Sequence, residues 1–202
     1  MKTKYILHTK LIFFAALLFI GSQAFGQTTY TYQSGKMTIN GTSSLHDWES
    51  NVGTILFKGS VHVQNQVLQS IEGVKVTIPV ESIKSSKGRI MDGKTHDALK
   101  KETFPNIECT ISKVNITPAD GKFKVKATGQ LTIAGKTKPV ELMLTANLDN
   151  HGLLTFTGSK AFKMTDYGID PPKALLGTLK TGDDISINFT VNMKADTTTA
   201  DK

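Results

Sequence analysis

The segment Ile185-Ser186-Ile187-Asn188-Phe189-Thr190-Val191-Asn192-Met193-Lys194 alternates without a break. Ile185, Ile187, Phe189, Val191 and Met193 fall on one side, with Ser186, Asn188, Thr190, Asn192 and Lys194 on the other. Successive side chains of a strand point to opposite faces, so this is a strand with one dry face and one wet face. Similar period-two stretches recur after residue 28: Tyr30 to Gln33, Lys36 to Ser43, Trp48 to Val63, Val67 to Pro79, Asn106 to Val114, Lys122 to Ile133, Lys138 to Leu148 and Leu153 to Lys163. Gly53, Gly59 and Gly73 interrupt two of them and read as bulges or bends. Turn signals separate the runs at Gln64-Asn65-Gln66, Pro118-Ala119-Asp120-Gly121, Ala134-Gly135-Lys136 and Asp149-Asn150-His151-Gly152. Short connections between consecutive strands imply antiparallel neighbours. The predicted class is all-β, a sheet curled around an apolar interior.

One segment departs from the pattern. Asp92 to Thr103 contains the helix formers Ala98, Leu99, Lys100, Lys101 and Glu102, and Phe104-Pro105 stops it before the next strand. This predicts a single short helix, set across the sheet or over one end of a barrel. The carboxylates form no acid and base pair: Asp183-Asp184 follows Gly182 and reads as a turn before the last strand, where acidic side chains cap backbone groups.

The N-terminus reads as an export signal over residues 1–26. Lys2, Lys4 and Lys10 form a basic region, Leu11 to Ile20 is an uninterrupted apolar run, and Ala24-Phe25-Gly26 supplies small residues at a cleavage site before Gln27. The run is too short to span a bilayer, which takes roughly 20 residues. No cysteine lies near the cleavage region to accept a lipid. The expectation is a soluble mature protein, periplasmic or secreted. Of the 202 residues, 176 would remain, enough for one domain to bury a core without disulfides. Its β-barrel domain is expected over 27–194, and the Thr-rich, charged 195–202 reads as a disordered tail. With the leader's three lysines removed, 21 basic residues stand against 17 acidic ones, a formal charge of +4. The lysines are scattered on wet faces and not bunched with aromatics, which argues against a nucleic-acid platform. The single cysteine, Cys109, shares a face with Ile107 and Ile111 and reads as a small buried hydrophobe.

Gly88-Arg89-Ile90-Met91-Asp92-Gly93-Lys94-Thr95 matches the phosphate-loop pattern letter for letter. Such a loop must follow a buried parallel strand, whereas Glu81 to Lys87 is polar and its surroundings are hairpins, so no nucleotide is expected. His46, His62, His96 and His151 show no spacing that would converge on a metal. Only His46, in Gly41-Thr42-Ser43-Ser44-Leu45-His46-Asp47-Trp48, suggests chemistry. Neighbouring residues of a strand face opposite ways, so His46 and Asp47 are badly placed as a relay. The plainer reading is a strand-to-turn region whose polar side chains bond backbone while Trp48 packs inward. Asn-x-Thr sequons stand at Asn40, Asn115 and Asn188.

Four segments, in order, resemble the YceI-like family. They are Gly41 to Trp48, Phe104-Pro105-Asn106-Ile107, the hairpin Gly129 to Leu142, and Asp166-Tyr167-Gly168-Ile169. The resemblance covers roughly residues 30 to 194. It implies an extended antiparallel lipocalin-like β-barrel, whose interior binds a polyisoprenoid or isoprenoid-quinone-like amphiphile. It also implies export, often to the periplasm, and no common catalytic reaction or cofactor beyond a bound lipid. A barrel of about eight strands has room inside for side chains or for one small ligand, so alternation alone leaves a pocket and a solid core equally open. With the resemblance, a pocket is expected, lined by Trp48, Phe57, Val76, Ile107, Phe123, Leu131, Ile133, Leu142, Leu144, Phe156 and Phe189. His46, Arg89 and Lys94 are the candidates for a polar headgroup. Two alternatives stand beside this carrier: an enzyme acting on the lipid with His46 as acid or base, and a structural or stress-linked envelope protein with a solid interior. Barrel edges and the helix could mediate a homodimer.

Overall fold

Three two-residue turns set the pleat. Asn65 and Gln66, Asp120 and Gly121, and Ala134 and Gly135 all have positive φ at both central positions. That conformation matches the right-handed twist of flanking strands and folds each pair of neighbours into an antiparallel hairpin. The structure is a computed structural model that describes residues 28–174 and 179–196. The leader and the end of the tail lie outside them. Among the described residues no helix is long and apolar enough to cross a membrane.

The strands are β1 (Thr28–Ser43), β2 (Trp48–Val52), β3 (Leu56–Gln64), β4 (Val67–Pro79), β5 (Ile83–Ser85), β6 (Asn106–Ala119), β7 (Lys122–Ile133), β8 (Lys136–Leu148), β9 (Leu153–Lys163), β10 (Lys173–Ala174) and β11 (Leu179–Ala195), with the helix α1 (Arg89–Ala98) between β5 and β6. Hydrogen bonding runs from β1 through β3, β4, β6, β7, β8, β9 and β11 and back to β1, closing an eight-stave antiparallel barrel. The β1–β11 seam extends from Tyr30 opposite Ala195 to Ser43 opposite Thr181. The run from Trp48 to Val63 is one stave broken in the middle: β2 pairs with the far half of β1, and β3 with its first residues. Gly59 and Gly73 lie where the β3–β4 register slips, as their interruption of the alternation suggested.

Three sequence expectations are corrected. The runs Tyr30 to Gln33 and Lys36 to Ser43 are one strand, with a register shift between Tyr32 and Ser34. Asp183 and Asp184 lie inside β11 and not in a turn before it; the seam register slips between Ser43–Thr181 and Gly41–Ile185, and the extra residues bulge out. The helix begins and ends earlier than its helix formers imply. Gly88 takes φ of 86° at its start, Lys100 turns left-handed at φ of 56°, and two turn bonds, Lys101 N–H to His96 and Phe104 N–H to Lys100, carry the chain on to Phe104. Tertiary packing overrides local propensity there. The Phe104 ring lies directly on Gly135.

All eight staves run between the same two ends. At one end the hairpin turns 64–66, 120–121 and 149–152 gather, and Tyr30, Val63, Leu68, Phe123, Leu154 and Met193 fill the space as a buried plug. At the other end lie the 44–47 turn, α1, the 133–136 hairpin and the 164–169 segment. His96 Nε2 donates to the Ile83 carbonyl at 3.0 Å, and the Ser85 N–H donates to Asp92 Oδ1 at 2.7 Å, which fastens α1 over this end. The 164–167 turn is held by its carboxylates: Asp166 takes Lys138 at 3.1 Å, and Asp183 accepts from the N–H and hydroxyl of Thr165. Hydrogen bonds from Lys138 and Thr165 respectively hold both carboxyls below the usual range.

Gly135 combines a left-handed φ of 79° with a ring against its α-carbon, so a methyl there is opposed twice. Gly135→Ala should cost about 1–3 kcal/mol in urea unfolding. Part of that cost should vanish in a Phe104→Ala background, where the ring is gone but the backbone strain stays. Fully additive costs would refute the packing of Phe104 on this turn.

Candidate functional site

Above the plug the inward side chains stop meeting. They line a cavity of about 560 Å³ that opens at the end bearing α1. That volume falls within the range of small-molecule pockets. One row shows how the space is kept: in register across three staves, Leu144 stands opposite Gly158, which stands opposite Phe189. A Cβ on Gly158 would come within 2.6 Å of Leu144 Cδ2 and 2.8 Å of Phe189 Cζ. The missing side chain lets both neighbours lie against the wall.

Among the residues expected inside, Phe57, Leu142, Leu144, Phe156 and Phe189 line the body of the cavity. Val76, Ile107, Leu131 and Ile133 line it nearer the mouth, and Trp48 stands at the rim. Phe123 does not reach it. As the first inward residue after the 120–121 turn it belongs to the plug. Alternation identifies the face a residue takes, not its height along the barrel.

At the mouth, His46 and Lys94 lie on the wall, whereas Arg89, the exposed first residue of α1, does not. The His46 ring donates from Nδ1 to the Asp47 carbonyl at 3.0 Å. The rest of that motif binds backbone: Ser43 Oγ donates to the His46 carbonyl at 2.7 Å, Ser44 Oγ accepts from the Lys180 N–H at 3.1 Å, and Trp48 Nε1 donates to the Thr42 carbonyl at 3.0 Å. These bonds hold the turn and tie it to the start of β11. The phosphate-loop look-alike is equally structural. It opens α1 after the antiparallel β5, and Asp92 serves the fold by accepting from the Ser85 N–H and facing Lys84.

The wall also carries polar residues beyond those expected, of which Cys109, Ser50 and Lys160 lie away from the loops of the mouth. Burial pushes the Cys109 thiol up to about 11. Ser50, 2% exposed, is the buried polar residue of the described chain. Lys160 stands among the inward residues of β9, between Gly158 and Phe162. The alternation Leu154, Phe156, Gly158, Lys160, Phe162 already carried the signal for Lys160, hidden because a lysine is read as solvated by default. Among the described residues no group of three His, Cys, Asp or Glu side chains converges to hold a metal.

The geometry has counterparts among solved structures. A Burkholderia cenocepacia protein, BcnA, superposes with a TM-score of 0.60 at 20% identity, over 78% of this chain and 95% of that one. A polyisoprenoid-binding domain from Saccharophagus degradans, implicated in plant cell wall breakdown, gives 0.61 at 12% identity, over 84% and 98%. A Campylobacter jejuni YceI protein gives 0.56 at 21% identity, over 73% and 84%. At such identities the likeness establishes the fold. No curated protein matches the chain significantly. The family model of the YceI-like domain matches residues 30–193, nearly the whole described barrel, and the chain therefore belongs to the YceI-like family.

Proposed function

We propose that this protein is an exported, noncatalytic lipid carrier that holds a polyisoprenoid or isoprenoid-quinone-like amphiphile in its barrel. The observation that carries the reading is the cavity of about 560 Å³, closed by a plug at one end, open at the other and walled almost entirely by aliphatic and aromatic side chains. Burying hydrocarbon contributes ~0.8 kcal/mol per methylene, so one five-carbon isoprene unit supplies at most roughly 3–4 kcal/mol before ordering costs. A few units suffice for tight binding. The polyisoprenoid-binding domain of Saccharophagus degradans, similar in fold, supports the same ligand class. The lining residues named above are the proposed tail contacts, with His46 and Lys94 near the head.

The noncatalytic reading rests on the surroundings of His46. Its Nδ1 donates to the adjacent carbonyl, and among the described residues no side chain hydrogen-bonds the ring, so no partner nucleophile or acid stands beside it. The periplasm or the exterior is the proposed location, from the basic and apolar leader ending at Gly26.

Three outcomes are expected. Organic extracts of the purified protein, examined by mass spectrometry, should contain an isoprenoid, or the stripped protein should take one up. Repeated failure of both would sink the carrier reading. Cys109, the chain's single cysteine, should report occupancy. A thiol pushed from 9.0 to about 11 holds roughly a hundredfold less thiolate at pH 8, so maleimide labelling should be slow, should accelerate as pH rises toward 11, and should slow further when a polyprenol fills the cavity. Labelling indifferent to the lipid would place the tail elsewhere. His46→Ala should leave polyprenol affinity within about twofold, since a rim contact adds little to burial of the tail; lipid turnover by the native protein, abolished in this variant, would make it an enzyme.

A further inference from the structure

Lys160 breaks an otherwise apolar inner surface. Along β9 the less exposed positions are Leu154, Phe156, Gly158, Lys160 and Phe162, so the lysine shares the inward row. It pairs across the sheet with Ile187, which pairs in turn with Ile39, and all three are on the cavity wall. No hydrogen bond or ion pair engages its ammonium among the described residues. Four further lysines reach the wall around the mouth, Lys87, Lys94, Lys173 and Lys180, and no Asp or Glu does. The nearby carboxylates are committed elsewhere: Asp92 to Ser85 and Lys84, Asp166 to Lys138, Asp183 to Thr165, and Asp184 to Lys163. Asp47, Glu49, Asp97 and Asp170 are exposed beside the rim but off the wall.

We infer that the cavity selects an amphiphile with an anionic head, a phosphate or a carboxylate, and that Lys160 is its counter-charge inside the barrel. The inference rests on the lipid-carrier reading and narrows it. While the cavity is wet, water solvates the ammonium. Once an apolar tail displaces that water, a cation beside Ile187 and Phe162 has lost hydration and gained nothing, which is costly. An anionic oxygen within hydrogen-bond reach removes the penalty and forms a charge-assisted bond, roughly twice as strong as a neutral one. A neutral alcohol offers Lys160 only a weak acceptor and leaves the mouth lysines without a partner. The lysine therefore acts as a filter on the head while the aliphatic wall accepts any long apolar tail. Its place three residues before the end of the stave puts the head inside the mouth and the tail toward the plug.

The test uses Trp48, the single tryptophan of the chain and part of the rim, as the fluorescence reporter on the purified protein. Geranylgeranyl monophosphate should bind about tenfold or more tightly than geranylgeraniol, which shares its tail. Lys160→Met should erase most of that gap, weakening the phosphate and, with the desolvation cost gone, tightening the alcohol, and Lys160→Arg should keep it. The circular dichroism melting transition of each variant checks that the barrel is intact. Inorganic phosphate at millimolar concentration should neither produce the signal nor displace the lipid phosphate. Equal affinity for the two lipids, or a gap that survives Lys160→Met, overturns the anionic-head inference and leaves the carrier reading standing. Free phosphate binding as tightly as the lipid overturns it in favour of a simple anion site. If neither lipid binds, the carrier reading fails and the inference fails with it.

Discussion

The seam between β1 and β11 is the constraint on which the rest depends. Without it the sheet is an open array with two unpaired edges, the state that invites pairing with other chains. With it every stave has two neighbours, and the inward rows are committed to one enclosed interior. Eight staves fix a girth at which side chains can just fill the middle or leave room for one ligand. The choice between the two is then made locally, by residue size at each height. At the plug, Tyr30, Leu68, Phe123 and Met193 meet across the axis and fill it. Higher up, Val76 and Ala127 are too short to meet their counterparts, and the space remains.

The two ends are built differently because their connections differ. Two of the tight positive-φ turns, 65–66 and 120–121, close the plug end, which is finished by its own side chains. The open end carries the longer connections. Each is fastened by polar side chains bonding backbone: Ser43 and Ser44 in the 44–47 turn, Asp92 and His96 at α1, Asp166 and Asp183 around the 164–167 turn. These bonds hold the rim in place without filling it. The same physics that makes the histidine motif look catalytic in sequence makes it a scaffold in space, since short polar side chains find backbone groups before they find one another.

Much of this was legible in the sequence, and the gaps have physical causes. Period two gives the face of each residue directly, so β7 and β9 were bounded to the residue, and the breaks at Gly53, Gly59 and Gly73 followed from glycine interrupting the alternation. What alternation lacks is height. Phe123 and Leu131 have the same parity on β7, yet one is plug and the other wall, because only the barrel's shear decides what each meets across the axis. The helix end was lost for another reason. Lys100, Lys101 and Glu102 favour helix, but Lys100 turns left-handed and the chain leaves the helix there, setting the Phe104 ring on Gly135, a long-range contact that local propensity does not carry.

The inward row of β9 shows how much chemistry a single stave encodes once height is known. Leu154 is fully buried in the plug, Phe156 forms the deep wall, Gly158 leaves the room that Leu144 and Phe189 take up, Lys160 places a charge, and Phe162 closes the row beside Tyr167. A solid core would tolerate the glycine, whose room Leu144 and Phe189 fill, but not the lysine, which would be left an unpaired cation. A lysine on this row makes sense only if something else answers the charge. A tail packed against Phe156 would bring its head to Lys160 without a further contact having to be built, so the one charge on the row fits the occupant proposed for the cavity.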